Sequence, residues 1–262
     1  LLEPTGKNNR NVKITQTYDV DYGWNLLGRY AGLYVSRHVG DDIKLGLGRM
    51  SNMLASVPNF DYRAEGVPLT GLKIVDVPAL DLLVVNAGNI DRNNEAIKQS
   101  IKNNQEWIKR TLEANPGLEA AGPVRIITTD FGAEKYAFDV AVPVRRKVAE
   151  APQAPLAGEP KDAETDTPAE DVAVQLAAEG EPLKVTIPGG APVEYIRTEP
   201  RRAAFASYTG YMAELDAARS ALRAWAVTHG YEVTDRPYEI WKGGVDKSFT
   251  AEGTYDIYWP IK

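Results

Sequence analysis

The sequence predicts an α+β fold of two βαββ modules, preceded by a strand and a long helix. Two observations carry this: an internal repeat, and a hydrophobic period that switches between strand and helix within each copy. The first copy reads VPALDLLVVNAG (Val77 to Gly88), Trp107, GPVRI (Gly122 to Ile126) and FDVAVPV (Phe138 to Val144). The second reads EPRRAAFASYTG (Glu199 to Gly210), Trp225, RPYEI (Arg236 to Ile240) and YDIYWPI (Tyr255 to Ile261). Pro78 to Gly88 has the same spacing as Pro200 to Gly210, and Asp139 to Pro143 the same as Asp256 to Pro260. Between these anchors the copies differ by about one helical turn.

The elements follow in order. Residues 11–22 (NVKITQTYDVDY) alternate and are rich in Thr, Val and Tyr, which reads as a strand. Leu27, Tyr30, Leu33, Tyr34, Val39, Ile43, Leu47, Met50 and Leu54 then recur at helical spacing, predicting a helix over Leu27 to Ala55 with a candidate break at Gly40; Pro58 closes it. Leu80 to Ala87 reads as a strand. Asp91 opens a helix to Ala114 with Ile97, Ile101, Ile108 and Leu112 on one face, and Asn115-Pro116-Gly117 stops it. Val124 to Thr129 and Tyr136 to Val144 form a hairpin. The second copy repeats this with a strand over Arg202 to Tyr208, a helix over Ala213 to Thr228, and a hairpin of Tyr238 to Trp241 with Thr254 to Pro260. Gly230 sits just past that helix, where a left-handed residue is favoured. Leu72 to Asp76 and Glu194 to Thr198 are expected to add a strand to the front of each copy. The organisation expected is therefore 1–57 as an N-terminal piece, 60–147 and 183–262 as the modules, and 148–182 as a linker. The linker holds five prolines and one short helix candidate over Pro168 to Ala178, with Thr167 as its N-cap.

Composition narrows the function. The chain has 262 residues, 44% of them apolar, enough for a packed core, and a net charge of −6. Residues 148–182 alone carry nine acids against Lys161, so the remainder is slightly positive. That leaves no basic footprint for nucleic acid, and no nucleic-acid partner is expected. With no cysteine and only His38 and His229, thiolate chemistry, disulfides and His-rich metal centres are not expected, and neither is a cofactor. No apolar run reaches the ~18 residues of a membrane span. The chain begins at Leu1, not Met, so an anchor or signal upstream is the one route to a membrane that the sequence leaves open.

The second copy resembles the gyrase-inhibitor-like (GyrI-like) effector-binding family, through SYTG (Ser207 to Gly210), LRAWAVTHGYE (Leu222 to Glu232), RPYEIW (Arg236 to Trp241) and the terminal YDIYWPI. The first copy follows the same pattern more loosely, through NAG, QEWIKRTLE, GPVRI and FDVAVPV. The resemblance implies modules related by a pseudo-twofold, with antiparallel sheets that shape a groove for bulky, often cationic, aromatic compounds. Members serve as ligand-sensing domains, stand-alone binders and, in some branches, hydrolases. Separately, GRYAGLYVSRHVGDDIKLGLGRMSNM, preceded by a strand, resembles the last strand and C-terminal helix of a START-like (SRPBCC) polyketide-cyclase/lipid-transfer domain, over residues 10–57.

Strand alternation then suggests the ligand-binding face. If Ile240 and Ile257 pack on the helices, Glu239, Trp241, Asp256 and Tyr258 lie together on the open side, with Tyr208 at the end of the neighbouring strand. Carboxylates among aromatic rings suit a flat cation. In the first module the repeat puts Arg125 at the place of Glu239 and Ile127 at that of Trp241, while Asp139 matches Asp256. Arg125 is expected to neutralise Asp139, leaving recognition to the second module. Trp107 and Trp225 are expected in the core. The leading expectation is a small-molecule binder without chemistry of its own. One alternative is an accessory subunit that docks a protein partner, or a second copy, through the Leu27 to Leu54 helix. The other is a hydrolase using Glu239 as general acid or base with help from Tyr208.

Overall fold

A computed structural model describes residues 1–9, 11–57, 69–132, 134–147 and 180–262. The chain divides into two compact units, Leu1–Val57 and Pro58–Lys262. The helix expected over Pro168 to Ala178 lies outside the described residues.

In the first unit, β1 (Leu2–Thr5) pairs antiparallel with β2 (Asn11–Ile14). The strand expected over 11–22 ends at Ile14. Ile14 pairs with Leu2, and beyond it Thr15 N donates to the Leu1 carbonyl at 2.9 Å. Helix α1 spans Leu26–Ser56, capped by Asn25, whose Oδ1 accepts from Gly28 N at 3.0 Å. It runs through Gly40 without a break. No described residue of this unit is fully buried. Two short strands and a helix do not identify a START-like fragment.

The second unit is α+β. Its strands are β3 (Leu69–Val77), β4 (Asp81–Asp91), β5 (Leu118–Ala120), β6 (Arg125–Phe131), β7 (Lys135–Arg146), β8 (Val193–Arg197), β9 (Arg201–Thr209), β10 (Tyr238–Trp241) and β11 (Thr254–Ile261). Its helices are α2 (Asn94–Glu113), α3 (Leu215–Thr228) and the short α4 (Gly244–Lys247). One antiparallel sheet runs β3-β9-β11-β10-β6-β7-β4-β8, with β5 added to the end of β7.

This order reads the same from both ends when the halves are exchanged. The central pairing of β6 with β10 matches Ile126 with Glu239, and Ile127 and Arg125 with Tyr238 and Ile240. Exchanging 125, 126 and 127 for 238, 239 and 240 reproduces the same pairs, so a pseudo-twofold passes beside Ile126 and Glu239. Both expected leading strands form, and each joins the other half. β3 precedes the first copy but pairs with β9 of the second, and β8 precedes the second copy but pairs with β4 of the first. Each half completes the other's sheet edge.

Helices α2 and α3 cover one face. Asn93 caps α2, its Oδ1 accepting from Ala96 N at 2.7 Å. At the other end Asn115 Nδ2 donates to the Thr111 and Thr186 carbonyls, both at 2.7 Å, and its Oδ1 accepts from Thr186 N at 2.8 Å. Ile97, Ile101 and Ile108 of α2 and Leu215, Ala218 and Leu222 of α3 pack on Leu83, Phe138, Val140, Ile126, Ala206, Ile257 and Trp241. Trp107 and Trp225 lie partly buried against this core. A second cluster, containing Val75, Leu82, Val84, Ala141, Ala203, Phe205, Tyr238, Ile240 and Tyr258, forms the opposite face.

Candidate functional site

The register decides which face each site residue takes, because directly paired residues in a ladder share a face. Glu239 pairs with Ile257 and Trp241 with Tyr255, while Ile240 pairs with Asp256 and Tyr238 with Tyr258. Glu239 and Trp241 therefore face the helices, and Asp256 and Tyr258 face away. The expected grouping of all four fails because it placed Ile240 and Ile257 on one face, and the register puts them on opposite ones. The repeat alignment also slips by one residue. About the pseudo-twofold, Arg125 corresponds to Tyr238, Ile126 to Glu239 and Ile127 to Ile240.

On the helix face, Glu239 is fully buried and meets Arg219 of α3, itself 4% exposed. Arg219 Nε donates to Glu239 Oε1 at 2.5 Å and its Nη2 donates to Oε2 at 3.1 Å. The same Nη2 reaches Tyr136 Oη of the first half at 3.3 Å, and Thr128 Oγ1 lies 2.9 Å from that phenol. The guanidinium sits 5.2 Å from the Phe131 ring centre. Burial pushes the Tyr136 phenol up to about 12. Burial alone would lower Arg219, but the Glu239 charge outweighs it and holds the guanidinium above its ordinary value. Trp241 crosses Tyr255 edge to face at 5.6 Å and Phe249 at 5.8 Å. Trp241 Nε1 and Arg219 Nη1 are buried without a hydrogen-bond partner.

Tyr208 also faces the helices, opposite Tyr255, with β11 between its strand and that of Glu239. Its phenol donates to Glu214 Oε2 at 2.5 Å, and burial, then that carboxylate, push its pKa up. With Glu239 held by Arg219 and Tyr208 by Glu214, the two side chains named for acid–base work are each engaged elsewhere.

On the other face the two matched acids have matched environments. Asp139 accepts from Asn86 Nδ2 at 2.6 Å, across the ladder, and Asp256 from Ser207 Oγ at 2.6 Å. Each also has a cation: Arg236 Nη1 at 2.6 Å for Asp139 and Lys242 Nζ at 3.4 Å for Asp256. The expected Arg125–Asp139 pair does not form. Arg125 stands opposite Ala141, Asp139 stands opposite Ile127, and the carboxylate is taken by Arg236 from the second half. Tyr238 and Tyr258 stack at 4.9 Å and 3°, Phe205 meets Tyr258 edge-on at 5.1 Å, and the Arg125 guanidinium lies 5.6 Å from the Tyr238 ring centre.

Arg219 was not legible as a site residue, although a signal existed. It interrupts the buried stripe of α3, four residues after Leu215 and three before Leu222. An arginine there needs an internal acceptor. Among the described residues no group of three His, Asp or Glu side chains could hold a metal, and no helix is long and apolar enough to cross a membrane.

No family model and no curated protein matches the chain. Among solved structures it resembles EcmrR in its DNA complex, at 16% identity over 92% of this chain and 73% of that one, with a TM-score of 0.49. A hydrolase from Listeria innocua shares 14% identity over 78% and 99% of the two chains, with a TM-score of 0.45. SAV2435 bound to tetraphenylphosphonium shares 9% over 74% and 94%, with a TM-score of 0.38. These are distant likenesses that fix neither family nor function. The comparisons lend no support to the expectation that nucleic acid is not a partner, and they show no DNA binding by this chain.

Proposed function

We propose that the chain is a small-molecule-binding module of the GyrI-like effector-binding type, taking a bulky aromatic cation at Glu239. The observation that carries this is a fully buried carboxylate beside the pseudo-twofold axis, on the helix-covered face, with Tyr136, Phe131, Trp241 and Tyr255 around it and its neighbours. A carboxylate out of water is costly unless a cation offsets it. Arg219 supplies that cation in the free protein, and a ligand cation would compete with Arg219 for the same oxygens. Trp241 is the aromatic wall beside the acid, and Tyr208 borders it one strand further out. Asp256, Tyr258, Asp139 and Arg125 lie on the opposite face and are not assigned to this site.

The test is titration calorimetry of the full chain with tetraphenylphosphonium, the cation bound in the SAV2435 structure, and with neutral triphenylphosphine oxide. The cation is expected to bind and the neutral compound to bind much more weakly. Glu239→Gln should weaken the cation by about 1–3 kcal/mol if the charge pair is desolvated. A melting curve separates loss of binding from loss of fold. Equal affinity for cation and neutral compound, or no change in a folded Glu239→Gln, would overturn the assignment.

A further inference from the structure

Arg125 lies on the face opposite the helices and is only 6% exposed. Among the described residues no group accepts a hydrogen bond from it or pairs with its charge, and its Nε is buried without a partner. Buried cations are normally paired, because an uncompensated charge out of water is costly. The nearby acids do not serve. Asp139 is taken by Arg236 and Asn86, and Asp256 by Lys242 and Ser207. Arg219, the other buried arginine at the axis, has its carboxylate; Arg125 has the Tyr238 ring at 5.6 Å and, among the described residues, no carboxylate paired with it.

The surroundings specify what the missing group is. Across the ladder from Arg125 stand Ile240 on one side and Ala141 on the other, so its flank beside β7 carries the smallest side chain of that row. Tyr238 and Tyr258 present parallel rings next to it, and Phe205 continues the aromatic row. Helices α2 and α3 both pack on the other face. A guanidinium is a rigid fork of N–H donors that matches a carboxylate with two parallel bonds. Aromatic rings favour a planar body. We infer that this face is a second binding site, in which Arg125 receives the carboxylate of a planar aromatic acid whose rings lie against Tyr238, Tyr258 and Phe205. The sheet then offers opposite charges on its two faces, a carboxylate toward the helices and a guanidinium away from them.

The test uses 2-naphthoate, with trimethyl(2-naphthyl)ammonium as the charge-reversed control, on the full chain by titration calorimetry. Naphthoate is expected to bind, and the ammonium compound not to compete with it. Arg125→Met should weaken naphthoate by roughly 10-fold or more, with Arg125→Lys between, because a lysine keeps the charge but not the fork. The melting temperature without ligand gives an independent readout. Arg125→Met removes a buried Nε that has no partner among the described residues and should melt at or above the unmodified protein, whereas an arginine kept for structure should melt lower when removed. The two sites can fail separately, because naphthoate is read at Arg125 and tetraphenylphosphonium at Glu239. No naphthoate binding, or full naphthoate affinity in Arg125→Met, would overturn the proposal.

Discussion

Arg219 on α3 holds both oxygens of Glu239 on β10, at 2.5 and 3.1 Å, and touches Tyr136 of the other half at 3.3 Å. One guanidinium thus links a helix, the central strand and the partner half at the pseudo-twofold. Removing either charge alone strands the other out of water. Arg219→Met and Glu239→Gln should each destabilise by about 3–5 kcal/mol, while the double variant should lose much less than their sum. Urea unfolding of the four proteins measures the coupling, and simple additivity would show that the pair is not a unit.

Competition at that carboxylate has its own consequence. If Arg219 occupies the place of the ligand's cation, Arg219→Gln should bind tetraphenylphosphonium more tightly than the unmodified protein, provided it remains folded. Weaker binding in a folded variant would mean that Arg219 shapes the site and does not compete for it.

Stability should fall at high pH for a definable reason. Burial raises the phenols of Tyr136, Tyr208, Tyr238, Tyr255 and Tyr258, Tyr136 to about 12 from 10.0. A group with a folded pKa above its unfolded one holds its proton more firmly when folded. Its contribution is complete below pH 10 and is lost as pH rises through about 12. Thermal melts across that range should drop steeply, and Tyr136→Phe should flatten the drop. A melting temperature independent of pH up to 12 would contradict this.

The exchanged edge strands predict that neither half folds alone. β3 needs β9 and β8 needs β4. Separate chains of 69–147 and 180–262 should each lack a cooperative melt, and mixing them should restore one. Independent folding of either chain would show that the exchange is not required.

Gly210 marks a close approach. With φ at 153°, an added Cβ would lie 2.2 Å from Tyr208 Oη. Gly210→Ala should therefore displace that phenol from Glu214 and destabilise by roughly 1–3 kcal/mol, readable by urea unfolding. A neutral effect would show that the strand end relaxes freely.

Much of the fold was legible because it rests on local pattern. The β10 strand appears as expected at Tyr238–Trp241, and the α2 stripe of Ile97, Ile101 and Ile108 is buried. What failed were features set by pairing. All four residues of β10 and most of β11 are buried, so alternation there carries no inside–outside signal. Only the register shows that Ile240 and Ile257 oppose, and with them Glu239 and Asp256. A one-residue slip reverses every side chain, which is how the repeat alignment misplaced Arg125. The exchange of β3 and β8 was likewise invisible, since a strand's own residues do not name its neighbour.

The most direct test of binding at Glu239 follows the indole N–H resonances during a tetraphenylphosphonium titration. The chain has five tryptophans, well spread, and the Trp241 indole is buried without a partner beside the acid. The account predicts that the Trp241 resonance shifts with occupancy, and that in Glu239→Gln the same shift needs a higher ligand concentration. Saturable binding with an unmoved Trp241 would place the ligand elsewhere and contradict the assignment.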